Sequence, residues 1–278
     1  MRYFISYIII KHTVLPVIML RIMKYPGSKT SVVEDIQRIY DQSGCNVFVD
    51  VFGGSGSVAL NIHSRNIVYN DLNRDLYILF TALKTHFPSF YRAANALAMD
   101  RQLFFDYYDG RIVMDNEAPE VEKAFSIFFN FNAGFGGMGE TYGKKDKSLY
   151  GTYRKNVSNL IKASHLIGKM KLENMDFRVL IEKYDSTDTF FYIDPPYPGK
   201  NWYVHNFTAD DFMELGREVM VIKGKYAMNF NAPDALPVRV FGKPSFVREE
   251  ENHNGKPGKT ESRKIAFYTN VMKPSGKW

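Results

Sequence analysis

Residues 46–71, "NVFVDVFGGSGSVALNIHSRNIVYND", constrain the fold more than any other stretch of the chain. Val47 to Asp50 reads as a short strand, followed by a turn rich in glycine (Gly53, Gly54, Gly56) and a helix expected from Ser57. A second strand ends at Asp71, 21 residues after Asp50. Strand, glycine turn, helix and parallel strand form the repeating unit of an open α/β sheet. With no side chains at the turn, a ligand can approach the backbone and the helix N-terminus. An acid at the end of the next strand is where a nucleotide-type ligand has its ribose hydroxyls bound. The third glycine of the dinucleotide fingerprint is absent, and no Lys-Ser/Thr pair follows to make a P-loop. An adenosine ligand without a pyrophosphate is therefore expected, and S-adenosylmethionine is the commonest of these.

The stretch "FFYIDPPYPGK", residues 190–200, carries the most specific chemistry. Four apolar residues form a buried strand that runs into Asp194, and Pro195 and Pro196 then remove two backbone donors. A flipped nucleobase needs a face to stack on and acceptors for its exocyclic amine. Asp194 can accept one N–H, the Pro195 carbonyl can accept the other, and Tyr197 can supply the ring. The amine nitrogen keeps a lone pair for a methyl sulfonium, so no general base is needed before the attack.

"KYPGSK", residues 24–29, reads as a turn before a helix, with the Tyr25 ring and the Lys29 ammonium placed to meet a carboxylate-bearing ligand. Ser31 and Glu34 make a capping-box pattern for that helix, and Thr208 with Asp211 repeats it after the loop at 198–207. That loop is expected to close over a flipped base.

A chain of 278 residues suffices for one large α/β domain or for a core domain with a smaller insertion. The strand–helix alternation lapses over 76–165, where amphipathic helical segments lie around 76–83, 90–99 and 121–129. Strands resume near Asn174 and at 190–194, with further candidates at 226–230, 238–241, 246–248 and 265–271, the last two closing as a hairpin. Net charge is +6, and the segment from Thr141 to Asn174 carries eight basic residues against two acidic ones. The whole excess is therefore concentrated there. Tyr142, Tyr150 and Tyr153 interleave with the cations, the pattern of a phosphate-contact surface.

The single cysteine, Cys45, excludes an internal disulfide and a cysteine metal cluster, and fits a reducing compartment. It also has no Pro-Cys setting, which argues against methylation of a cytosine carbon through a thiolate adduct. The six histidines show no metal-ligand spacing, so no metal is expected. The first twenty residues are apolar but interrupted by Lys11, His12 and Pro16; a surface-covering strand or helix is expected there, not a membrane span or a targeting segment.

Taken in order, "KYPGSK", "FVDVFGGSG", "NDLNRDL", "NMDF" and "FFYIDPPY" resemble the motifs of the Dam-type DNA adenine-N6 methyltransferases of bacteria and phages, from about Lys24 to Asn270. The resemblance implies a Rossmann-like, S-adenosylmethionine-dependent methyltransferase sheet in an α/β fold. Its catalytic domain would be discontinuous, 1–75 and 166–278, with a mostly helical DNA-recognition domain inserted at 76–165. Tyr25, Pro26 and Lys29 would line the cofactor site. Asp50, Phe52, Gly53, Gly54, Ser55 and Gly56 would hold the methionine part of S-adenosylmethionine, Asp71 its ribose, and Asp176 and Phe177 its adenine. Asp194 would border the same site and, with Pro195, Pro196 and Tyr197, carry the transfer, leaving S-adenosylhomocysteine.

Asn130, Asn132, Tyr142, Lys144, Lys145, Arg154 and Lys155 would contact double-stranded DNA. The resemblance further implies a cytoplasmic enzyme without a membrane partner; whether a cognate restriction endonuclease accompanies it does not follow. Val51 stands where the family usually has Pro, and "KYPGSK" has Tyr, Pro and Ser where Trp, Ala and Gly are common. The rival readings are methylation of the cytosine N4 amine, methylation of adenine in RNA, and a non-catalytic DNA-binding protein on the same fold.

Overall fold

Alternation in the strands explains the layering of the molecule. In the computed structural model, which describes residues 19–113, 118–134, 147–196, 207–232, 234–252 and 261–271, Val47–Asp50 forms β1 and Thr189–Ile193 forms β4. Phe48 and Phe190 point to one face, where they meet α1 (Val33–Ser43). Val49 and Phe191 point to the other, under α7 (Phe177–Tyr184) and α8 (Ala209–Val221). Every residue of β4 is buried, as expected for a central parallel strand covered on both faces.

The seven strands add β2 (Asn66–Asn70), β3 (Lys171–Glu173), β5 (Lys225–Ala232), β6 (Phe246–Asn252) and β7 (Glu261–Thr269). Their order is β3-β2-β1-β4-β5-β7-β6. The first five strands pair in parallel, while β7 runs antiparallel to both β5 and β6. The order reverses between β1 and β4. In open α/β sheets a crevice opens at such a point, beyond the carboxyl ends of the strands.

The connection from β2 to β3 carries a set of helices: α2 (Arg74–Thr85), α3 (Phe87–Met99), α4 (Arg101–Tyr108), α5 (Pro119–Ala133) and α6 (Lys147–Lys169). They bury a core of aliphatic and aromatic side chains that also includes Tyr69 of β2 and Leu20, Ile22 and Met23 of the N-terminal segment. Phe104 lies at its centre, against Phe105, Phe129, Tyr150 and Tyr153. The three amphipathic segments expected in this region are all helical.

Several expectations are corrected. No helix follows Ser57: one turn forms, with Leu60 N bonded to Gly56 O (2.9 Å) and Ile62 N to Val58 O (3.0 Å), and then the chain leaves. The Asn61 amide donates to Ser57 O (2.9 Å) and Leu20 O (3.0 Å), diverting the backbone from helical propagation. Residues 238–241 are not a strand but the end of α9 (Ala235–Phe241), where Asp234 accepts a bond from Leu236 N. Val240 packs on α8 at Gly216, where a Cβ would lie 2.4 Å from its Cγ1. α1 forms without the Ser31 cap, preceded instead by a 3-10 turn at Thr30–Val32. The Thr208–Asp211 capping box is present with both of its bonds. Residues 1–18 and most of the 198–207 loop lie outside the described residues. Among those described, no helix is long and apolar enough to cross a membrane.

Candidate functional site

A cleft with about 1000 Å³ of atom-free space, part of it open to solvent, lies beyond the carboxyl ends of β1 and β4, where the strand order reverses. That is room for a nucleoside-sized ligand. Its floor is made at the ends of three neighbouring strands. Asp50 ends β1, Asp194 follows β4, and Asp71 follows β2. The strand register sets Asp50 opposite Tyr192, two residues before Asp194.

The glycine turn is held from behind by an aromatic pair. The Tyr69 and Phe80 rings stack at 4.2 Å and 7°, and the Tyr69 hydroxyl donates to Gly54 O (2.6 Å). A Cβ on Gly53 would sit 2.2 Å from the Tyr69 ring, and one on Gly56 2.7 Å from that of Phe80, with Gly56 also at φ +70°. These two glycines admit the supporting rings. Gly54 faces the Tyr25 ring, and Gly53, Gly54 and Ser55 line the cleft; Gly56 lies beneath it.

Asp71 reads both ways along the chain: Oδ2 accepts from Gly54 N (2.8 Å) and Oδ1 from Asn73 N (2.8 Å). Asp50 is 1% exposed and accepts from Ala59 N at 3.2 Å; burial pushes its pKa up to about 8, and the Asp194 charge adds to the shift. Asp194 pairs through Oδ2 with the Lys29 ammonium at 2.8 Å. Its Oδ1 is buried without a hydrogen-bond partner among the described residues. Burial raises the Asp194 pKa, and Lys29 opposes that shift. Pro195 is buried, while Pro196 lines the cleft. Tyr197 lies outside the described residues.

The opposite rim is aromatic and ionic. Phe52, Phe177 and Phe207 meet pairwise at 5.5 to 5.8 Å, and all three line the cleft. Asp176 caps α7 by accepting from Arg178 N (2.9 Å). The Arg178 guanidinium then bonds both oxygens of Asp176 (3.1 Å each), Asp211 Oδ1 (2.6 Å) and Glu214 Oε2 (2.5 Å), and lies over the Phe177 ring at 4.3 Å. Hydrogen bonds hold the Asp211 and Glu214 carboxyls below their usual range; the largest cause is Thr208 for the first and Arg178 for the second.

Of the residues expected in the cofactor site, Tyr25, Pro26, Lys29, Asp50, Phe52, Gly53, Gly54, Ser55, Asp71, Asp176, Phe177 and Asp194 all line this one cleft. The DNA-contact set divides. Arg154 and Lys155 are exposed on α6, and Asn130 is half-buried. Asn132 is corrected: it is 0% exposed and bonded to Ile22 O, Phe128 O and Asn156, so it offers nothing to DNA. Tyr153 and Tyr150 are likewise turned into the helical core, donating to Ala94 O and Ala98 O. Tyr142, Lys144 and Lys145 lie outside the described residues. Sequence reasoning passed over Tyr69, Asn70 and Arg178. Asn70 bonds Val51 O, Met175 O and Met175 N, tying the ends of β1 and β2 to the approach to α7. An uncharged polar residue at the buried end of a strand was its signal.

The reversed seventh strand, the cleft at the switch point and the acid beside it define a Rossmann-like methyltransferase. The family model described as D12 class N6 adenine-specific DNA methyltransferase matches residues 25–231. The chain therefore belongs to the D12 class of N6 adenine-specific DNA methyltransferases.

Among its relatives, the Type II methyltransferase M.MjaIII of Methanocaldococcus jannaschii is 20% identical over 224 residues, 70% of this chain and 77% of that protein. The DNA adenine methylase of Haemophilus influenzae is 25% identical over 181 residues, 63% of each chain. That of Escherichia coli K12 is 26% identical over 117 residues, 42% of this chain and 41% of that one. The chain thus spans less than two thirds of these adenine methylases. A solved structure of a possible methylase from Clostridium difficile 630 matches at 14% identity and a TM-score of 0.24, over 56% of this chain and 47% of that one.

Proposed function

We propose that the chain transfers a methyl group from S-adenosylmethionine to N6 of an adenine flipped out of double-stranded DNA, in the cytoplasmic compartment. The observation that carries this reading is the buried Oδ1 of Asp194, a residue that lines the cleft; that oxygen has no hydrogen-bond partner among the described residues. An acceptor without a donor costs free energy unless a ligand supplies one, and an exocyclic amine does so. The residues fit the cofactor as well. Asp71 would meet a ribose diol, the Phe52, Phe177 and Phe207 rings an adenine, and Tyr25 and the glycine turn the amino-acid end.

When bound, the cofactor supplies an electrophilic methyl group. Asp194 Oδ1 accepts one N–H of the target amine, and the Pro195 carbonyl, held by a proline φ, accepts the other. Lys29 holds Oδ2, which leaves Oδ1 to accept from the base. The raised pKa of Asp194 makes its carboxylate a stronger acceptor for the proton that the nitrogen sheds. Tyr197 stacks on the flipped ring. The helical connection between β2 and β3 carries DNA recognition, with Arg154 and Lys155 on phosphates.

Incubation with methyl-labelled cofactor and mixed-sequence DNA, followed by digestion to nucleosides, is expected to give label in N6-methyl-2′-deoxyadenosine. Label on cytosine would overturn the base assignment, and incorporation that persists in Asp194→Ala would overturn the mechanism. Neutralising Lys155 is expected to lower the salt slope of DNA binding by about one unit, read from affinities at several salt concentrations.

A further inference from the structure

The segment at 20–25 delivers Tyr25 to the cleft, yet it belongs to no helix or strand. Side-chain amides hold its backbone. Asn61 bonds Leu20 N (2.7 Å) and Leu20 O (3.0 Å) from the sheet side. From the helical connection, Asn159 of α6 donates to Arg21 O (2.7 Å), and Asn132 of α5 donates to Ile22 O (3.3 Å). Asn132 gives its other proton to Phe128 O (2.9 Å), and its Oδ1 accepts from Asn156 Nδ2 of α6 at 2.6 Å. Both residues of that amide pair are at least 95% buried. Beside Asn132, the Phe131 ring meets Tyr25 edge-on at 5.5 Å. Gly54 closes the other side of Tyr25, where a Cβ would come within 3.1 Å of its ring.

We propose that Asn132 and Asn156 are positioning residues for the methyl-donor site: the amide pair sets the 20–25 segment, and so fixes the ring of Tyr25 against the glycine turn. This rests on the reading of the cleft as the cofactor site. Asn156 completes the Asn132 amide: its N–H satisfies Oδ1 while Nδ2 holds Ile22 O and Phe128 O. Without Asn156, the Asn132 oxygen is buried and unpaired, a cost that loosens the amide's hold on Ile22 O. The pair also joins α5 to α6, which carries Arg154 and Lys155, so the helices assigned to DNA and the wall of the cofactor cleft share one buried hydrogen bond.

The test measures S-adenosylmethionine affinity by calorimetry for the full chain and for Asn156→Ala, Tyr25→Ala and the double variant, with non-specific DNA affinity and urea midpoints alongside. Each single variant is expected to weaken donor binding about tenfold. The double variant is expected to be no weaker than the worse single one, because both remove the same positioned ring. DNA affinity should stay within about twofold. Should Asn156→Ala fail to fold, Asn159→Ala, whose bond to Arg21 O is exposed, is expected to weaken the donor by about threefold. Unchanged donor affinity in the folded asparagine variant, or additive losses in the double one, would overturn the inference while leaving the cleft assignment standing. Unchanged affinity in Tyr25→Ala would instead overturn the cleft assignment itself.

Discussion

The two sides of the cleft use the same residue types in opposite ways. On the floor, Asp50 is buried, Asp194 is partly buried with its Oδ1 enclosed, and Lys29 pairs with Asp194. Burial drives both pKa values up. On the rim, Asp176, Asp211 and Glu214 converge on Arg178, and hydrogen bonds drive Asp211 and Glu214 down. Rim carboxylates are satisfied within the chain and hold α7 and α8 together. On the floor, Asp194 Oδ1 has no hydrogen-bond partner among the described residues, which costs stability but leaves an acceptor for a ligand. Where an enzyme tolerates an unpaired buried oxygen, chemistry is the usual reason.

Replacing Asp194 by Asn should break this contrast most. Methyl transfer is expected to fall at least about 100-fold, whereas the urea midpoint at pH 7 should move far less, because the change removes a desolvated carboxylate but also the partner of Lys29. A rate assay paired with denaturation checks both halves. Next comes Asp50→Asn. Asp50 has a folded pKa of about 8 against an ordinary 3.8, so the folded state holds more protons than the unfolded state between those values. Stability therefore falls as pH rises through that window. The variant should flatten the fall by on the order of 2–5 kcal/mol, read from urea midpoints at stepped pH.

The rim has the opposite sign. Asp211 and Glu214 lie below their ordinary 3.8 and 4.5, so they contribute stability above those values and lose it on acidification. Arg178→Met is expected to cost about 1 kcal/mol at neutral pH, less at high salt, and to weaken donor binding modestly by loosening Phe177.

Much of the floor was legible because it is local. Each strand ends in its own acid, and the prolines follow Asp194 directly in the chain. What could not be read involves distant partners. The DNA role expected of Asn132 rests only on the family resemblance, and nothing local announces that Ile22 and Asn156 enclose it. Tyr153 sits among cations in sequence, but its position on α6 turns it inward. The pattern at 238–241 alternates apolar and polar residues as a strand would, and Asp234 overrides it with a cap. The Arg178 cluster joins residues more than thirty positions apart, so no motif scan would assemble it.

The register between β1 and β4 has a consequence for how the chain reaches its native state. Val47 lies opposite Thr189, 142 residues away, with the whole helical connection between them. Closing so long a loop is entropically costly and slow compared with the helix contacts inside it. The helices and their aromatic centre can therefore condense early, while the strand bearing Asp194 docks late. A nascent or partly unfolded chain would keep its helical unit and lose methyl transfer first.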